Sequence, residues 1–161
     1  MIKMILCADL DGGIGCDNKL IYHIKEDMEF FTKKTINHKI VMGYNTWLSL
    51  PKKPLPKRDN YILYEGNDIK ETDDIHVLRS IDEIVELAKD DDVYIIGGAM
   101  LYNSMLELDL VDEVYLTLVS FKYNADVFVN LQNIFTKFKN SDLIKRIECN
   151  SGSATIIKFY N

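Results

Sequence analysis

The chain of 161 residues is long enough for one domain with a real core, and its 47% hydrophobic and 27% charged residues give an ordinary globular balance. The net charge of −6 argues against non-specific binding to nucleic acid or anionic membranes. It also requires that any anionic ligand be held by local positive groups against an unfavourable overall field.

From the N-terminus, Ile2 to Ala8 is an almost continuous apolar run, the pattern of a strand buried on both faces. It is too short for a membrane span, and it meets an acid too soon for a secretory leader, so the expected location is cytoplasmic. Asp9-Leu-Asp-Gly-Gly-Ile-Gly breaks regular structure and opens an irregular segment reaching to about Ile24. Loops of that length in a compact domain are usually functional. The spacing predicts a helix from Lys25 to Thr35, with Ile24, Met28 and Phe31 on its apolar stripe and Phe30 alongside. Asp27 shares that stripe. A carboxylate there is costly without a partner or a task, and burial would raise its pKa. From the helix alone, an edge aspartate tilted to water remains the commoner case.

Lys39 to Met42 is a second buried strand, ended by Gly43, and Tyr44 to Leu50 begins a short helix. All three prolines (Pro51, Pro54, Pro56) stiffen the loop that ends at Lys57-Arg58. Strands are expected at Asn60–Tyr64 and Ile75–Leu78. Ser80 with Glu83 reads as a capping box for a helix through Ala88. Asp90-Asp91-Asp92 reads as a solvated turn, since consecutive carboxylates face different ways. Val93 to Ile96 is another buried strand, followed by Gly97-Gly98 and a helix from Ala99 to Leu108. Val111 to Ser120 is a long strand. Beyond it, apolar runs near Val127, Leu143 and Ala154 to Phe159 suggest antiparallel strands and one short turn. Strands alternate with helices early and dominate late, which is an α/β sheet, mostly parallel, with an antiparallel end. Cys7, Cys16 and Cys149 form no disulfide framework, and His23, His38 and His76 have no metal-ligand spacing. No metal is expected, and the histidines are taken as surface or satisfied residues.

Two strand ends share a strand–glycine–helix design, Val41-Met42-Gly43-Tyr44-Asn45-Thr46 and Ile95-Ile96-Gly97-Gly98-Ala99-Met100. Glycine lets a ligand approach the backbone, and the amides that follow can bind phosphate. Two such ends on parallel strands suggest a dinucleotide, although the GxGxxG fingerprint is missing.

The order of these pieces is specific. A buried first strand is followed by Ile14-Gly15 with Asn18 and Leu20, then Asp27 with Phe30-Phe31. Next come Met42-Gly43-x-x-Thr46-Trp47, Leu55-Pro56-x-Arg58, Ile96-Gly97-Gly98 with Tyr102, and Tyr115-Leu116-Thr117. Over nearly its whole length the chain resembles the dihydrofolate reductases. That resemblance implies a central eight-stranded, mainly parallel sheet with an antiparallel C-terminal strand and flanking helices, in one domain over residues 1–161. It implies hydride transfer from NADPH to 7,8-dihydrofolate, serving one-carbon metabolism and thymidylate synthesis. Binding of antifolates, no nucleic-acid or membrane partner, and a monomer are expected with it.

Residue by residue, the resemblance makes Asp27 the acid that hydrogen-bonds the pterin ring nitrogen and amino group, supported by Thr117. It favours protonation at the neighbouring nitrogen through water, which Tyr22 would help organise. Ile5, Met28, Phe31, Leu50, Leu55 and Ile96 would line the substrate pocket, and Arg58 would grip the carboxylate of the glutamate tail. On the cofactor side, Cys7, Ile14, Gly15, Asn18 and Leu20 would surround the nicotinamide, with the loop from Gly13 to Leu20 closing over it. Gly43, Tyr44, Asn45 and Thr46 would take the pyrophosphate and its surroundings, and Leu63, Tyr64 and Arg79 the adenosine end. Ile96, Gly97, Gly98, Ala99, Met100, Leu101 and Tyr102 complete the set, with a cis Gly97–Gly98 bond.

The chain also departs from the family pattern. Leu20-Ile21-Tyr22 replaces the usual Leu-Pro-Trp, which should loosen the loop's exit. Tyr44 stands where a basic residue often grips the cofactor's 2′-phosphate, and Tyr64-Glu65 ends a strand that often supplies a hydroxyl and then a base. Arg79 is then the evident phosphate partner, so a weaker preference for NADPH over NADH is expected. Cys7 takes the place of a small residue, and its thiol is a candidate for reaction with electrophiles. Asp126-Val-Phe-Val-Asn varies a late Asp-x-x-Phe-Pro pattern. Two other functions fit parts of the pattern. One is a related pterin or pyrimidine reductase, which the pairing of Asp27 with Arg58 argues against. The other is a non-catalytic folate- or nucleotide-binding component of an assembly.

Overall fold

The computed structural model describes all residues except 17–18, 21–22, 123 and 151, and only the backbone of residues 19–20. In chain order the elements are β1 (Ile2–Ala8), β2 (Gly13–Cys16), β3 (Lys19–Leu20), α1 (Lys25–Thr35), β4 (Lys39–Gly43), α2 (Tyr44–Ser49), β5 (Asp59–Leu63) and β6 (Ile75–Leu78). They continue with α3 (Ile81–Leu87), β7 (Val93–Gly97), α4 (Ala99–Glu107), β8 (Glu113–Val119), β9 (Val127–Phe128), α5 (Leu131–Lys137), β10 (Asn140–Cys149) and β11 (Gly152–Tyr160). Eight strands form one sheet in the order β10-β11-β8-β1-β7-β4-β5-β6. Strands β8, β1, β7, β4, β5 and β6 run parallel, while β11 pairs antiparallel with β8 and with β10.

The apolar runs fall where a two-sided core needs them. Met4, Ala8, Ile40, Val41, Met42, Val93, Ile95, Val114 and Leu116 are all fully buried in the central strands. One apolar cluster packs α3, α4 and α5 against one face, around Ile84, Met105, Leu106 and Ile134. A second cluster, built on Ile5, Met42, Trp47, Ile62, Tyr94 and Tyr115, lies under α1, α2 and the proline loop. The chain leaves β1 for β4, steps outward to β6, then returns through β7 between them. The carboxyl ends of β1, β7 and β4 therefore flank the reversal point, where open α/β sheets bind ligands.

Three expectations change. The segment after Asp9 is not wholly irregular, because β2 pairs with both β3 and β9 in a small second sheet. Asp9 is buried, and its Oδ1 accepts from the amides of Asp11 and Gly13 at 2.9 and 2.8 Å, which folds the turn into β2. The C-terminal third contains a helix, α5, where strands and a turn were expected. Asn130 caps it by accepting from Gln132 N, and Leu131 and Ile134 anchor it. His38 is not a satisfied histidine: its Nδ1 is buried without a partner among the described residues, and its ring tilts against Tyr94. The α3 cap differs only in detail. Ser80 Oγ accepts from Glu83 N, but the Glu83 carboxylate takes the Arg79 amide, one residue earlier than a capping box requires.

Candidate active site

The two strands that carry Cys7 and Thr117 are adjacent and in register, so both side chains rise from the same face of the sheet. Helix α1 lies over that face. Thr117 Oγ1 donates a short hydrogen bond to Asp27 Oδ1. Burial pushes the Asp27 carboxyl above its ordinary value, while hydrogen bonds from Thr117 and Cys7 pull it back. The inward stripe of α1 is Asp27, Phe30, Phe31 and Lys34. The Phe30 ring sits 5.9 Å from that of Tyr115, the Lys34 ammonium lies 4.8 Å over Tyr115, and Phe31 packs on the second apolar cluster. Met28 is not part of it. It lies one position round the helix from Asp27 and is 43% exposed, so it stands at the rim rather than in the wall. Ile5, Phe31, Leu50, Leu55 and Ile96 do come together in one apolar cluster.

Arg58 is 8% exposed at the end of the proline loop. Its Nη1 donates to Thr35 Oγ1 at 3.0 Å and its Nε to Pro56 O at 2.9 Å. The guanidinium lies 5.8 Å from the Phe31 ring, and burial lowers its pKa. Among the described residues no carboxylate forms an ion pair with it. A buried cation held only by neutral oxygens is arranged for an anion from outside. Two residues that sequence reasoning passed over fix it. Thr35 is fully buried, donates to Phe31 O and accepts from Arg58. Asn60, also fully buried, bonds Leu55 N, Leu55 O and Arg58 O, and so rivets the loop to the start of β5. Asn60 adjoins the apolar run Tyr61-Ile62-Leu63, which is a faint signal, whereas Thr35, between Lys34 and Ile36, carries none.

On the cofactor side, Gly43 ends β4 beside the cis Gly97–Gly98 bond at the end of β7. A methyl group added at Gly43 would meet Gly98 N at 3.8 Å and Gly97 O at 3.9 Å, ordinary contacts, so protein packing does not require glycine there. The strand end is thus open to a group lying against its backbone. Thr46 Oγ1 stands over both glycines, within 3.0 Å of a Cβ built on Gly97. Tyr102 is buried and donates to Ile5 O at 2.8 Å, so its hydroxyl is committed to β1, beneath the glycines. Burial raises its pKa. Ala99 and Leu101 are core residues and Ile14 joins the same core, whereas Met100 is 86% exposed and Asn45 lies open to solvent. Gly15 sits in β2, paired with Leu20 and Val127. Asn18, Ile21 and Tyr22, with the side chain of Leu20, lie outside the described residues. Cys7 corrects one expectation: burial and the nearby Asp27 charge push its thiol far up, so it is a poor nucleophile.

The profile of the family described as dihydrofolate reductase matches residues 1–159. The chain belongs to the dihydrofolate reductase family. It is 36% identical over 131 residues to the dihydrofolate reductase of Ureaplasma parvum, covering 81% of this chain and 83% of the relative. It is 32% identical over 127 residues to that of Staphylococcus aureus, covering 79% and 76%. Among solved structures, dihydrofolate reductase from Enterococcus faecalis, complexed with NADP(H) and RAB-propyl, superposes with a TM-score of 0.80 at 22% identity, covering 100% of this chain and 96% of that one. The chain is accordingly an NADPH-dependent oxidoreductase that reduces dihydrofolate to tetrahydrofolate and binds antifolates.

Proposed function

We propose that this reduction takes place between the Asp27–Thr117 pair and the Gly43–Gly97–Gly98 cradle, with the whole chain acting as one monomeric cytoplasmic domain. NADPH bound along the cradle would supply the hydride. The protein's own part is to bind, orient and manage a proton. The single observation that supports this reading is Asp27: a half-buried carboxylate, raised in pKa and fixed by Thr117, facing an apolar wall. Its second oxygen and its charge suit a ring nitrogen and an exocyclic amino group presented side by side. Holding the pterin there favours its protonated form at the atom beside the one that accepts hydride. Arg58 takes the tail carboxylate, and Ile5, Phe31, Leu50, Leu55 and Ile96 exclude water from the ring. Gly15 and its strand neighbours would cover the nicotinamide. The test is a spectrophotometric assay with dihydrofolate and NADPH. Loss of absorbance at the nicotinamide band with formation of tetrahydrofolate supports the reading. Tight antifolate binding without turnover would favour a non-catalytic folate-binding protein.

A further inference from the structure

Beyond the glycine cradle, the ends of β5 and β6 open a surface cavity of about 540 Å³ lined by Leu63, Tyr64, Glu65, Arg79, Ser80 and Ile81. It lies one strand outside Gly43, which pairs with Leu63, so a dinucleotide laid across the cradle reaches it with its adenosine end. This placement rests on the reading given under Proposed function. Leu63 and Ile81 offer apolar contact to a purine. The polar remainder is Tyr64, Glu65, Arg79 and Ser80, in which a carboxylate stands beside a cation.

Four observations bear on what it binds. Glu65, exposed two residues beyond the end of β5, lines the cavity, and a carboxylate near a strand end is the usual partner of a ribose 2′-hydroxyl. A 2′-phosphate beside it meets like-charge repulsion. Tyr44 and Tyr64 stack face to face, with centroids 3.9 Å apart and planes 9° from parallel. Their hydroxyls both turn to Asp68, at 3.5 and 2.5 Å, and so add a second carboxylate nearby rather than donors for a phosphate. Among the described residues Arg79 is the one cation lining the cavity, and its Nη1 donates to Tyr64 O at 2.9 Å and Gly66 O at 2.5 Å, which ties that half of the guanidinium to the loop.

We infer that the Tyr44–Tyr64–Asp68 cluster and Glu65 form an adenosine-ribose site that recognises free hydroxyls, so that this chain accepts NADH about as readily as NADPH. Glu65 is the specificity-determining residue, and Arg79 serves the loop at Tyr64 and Gly66.

The experiment is calorimetric titration of the free enzyme with NADPH and with NADH, repeated with Glu65→Gln. A control pair, 2′-AMP and 5′-AMP, probes the adenosine end alone. The expected result is a ratio of dissociation constants below about tenfold for the wild-type protein, equivalent to less than about 1.4 kcal/mol. Glu65→Gln should move that ratio towards NADPH by about tenfold, chiefly by strengthening NADPH and 2′-AMP. A wild-type preference for NADPH above that limit, or a ratio unmoved by Glu65→Gln, overturns the inference. Because the comparison is read from binding, a failure of dihydrofolate turnover would count against the reductase site and leave this result decisive.

Discussion

Replacing Arg58 by methionine removes a cation while keeping most of the volume of a buried chain. In the free protein the guanidinium makes two hydrogen bonds, to Thr35 Oγ1 and Pro56 O, and no ion pair among the described residues. Losing those bonds costs about 1 kcal/mol each. Removing an uncompensated buried charge returns a similar amount, so folding stability should change by less than about 1 kcal/mol. Substrate binding has no such offset. A charge-assisted bond to a tail carboxylate is worth about 2 to 3 kcal/mol, or about 30- to 150-fold in affinity. Steady-state kinetics with dihydrofolate should therefore show KM raised by that factor, with kcat changed much less. A dihydropterin without the glutamate tail should be reduced equally well by both proteins. If Arg58→Met impaired both substrates equally, or melted the fold, the assignment of Arg58 to the tail would be refuted.

Other outcomes follow from the same geometry. Cys7 should resist alkylation at neutral pH in the folded protein, because its thiolate is disfavoured by burial and by Asp27; rapid labelling of Cys7, located by peptide mass spectrometry, would contradict that. Gly97 has φ of +140° and lies close to Thr46, so Gly97→Ala should cost about 1 to 3 kcal/mol in denaturant melts; an unchanged midpoint would show that the strand end relaxes freely. Asp27 also predicts a pH dependence of stability. Its folded-state pKa is raised above 3.8, so the fold favours the protonated form, and stability falls as pH rises from that value through the folded pKa. Asp27→Asn should accordingly raise Tm at neutral pH and leave it unchanged below pH 3.8.

The central strands were legible because they are buried on both faces and read as unbroken apolar runs. Helix α1 was legible in extent but not in facing. Its inward stripe includes Lys34, which hydropathy assigns to solvent, and Phe30, whereas Met28, read as part of the apolar stripe, is 43% exposed. Helix α5 was hidden because seven residues with few apolar positions are also consistent with a turn, and tertiary anchoring by Leu131 and Ile134 decides it. The short strands β2, β3 and β9 exist only through pairing between distant segments, which no local pattern announces. Among the site residues, Asp27, Thr117 and Arg58 stood out as motif members. Thr35 and Asn60 act on Arg58 through hydrogen bonds that become visible only when the loop is folded. Tyr44, Tyr64 and Glu65 were visible as departures, whereas Asp68, four residues beyond Tyr64 in a polar loop, gave no sign that it joins the two tyrosines.

The central claim is that Asp27 manages the proton for reduction of dihydrofolate. Its most direct test is the pH profile of kcat/KM for the wild-type protein and for Asp27→Asn. The variant should lose about 10²- to 10⁴-fold at neutral pH and recover steeply towards low pH, where the substrate arrives already protonated. A variant as active as the wild type at pH 7, or one whose deficit is the same at every pH, would contradict it.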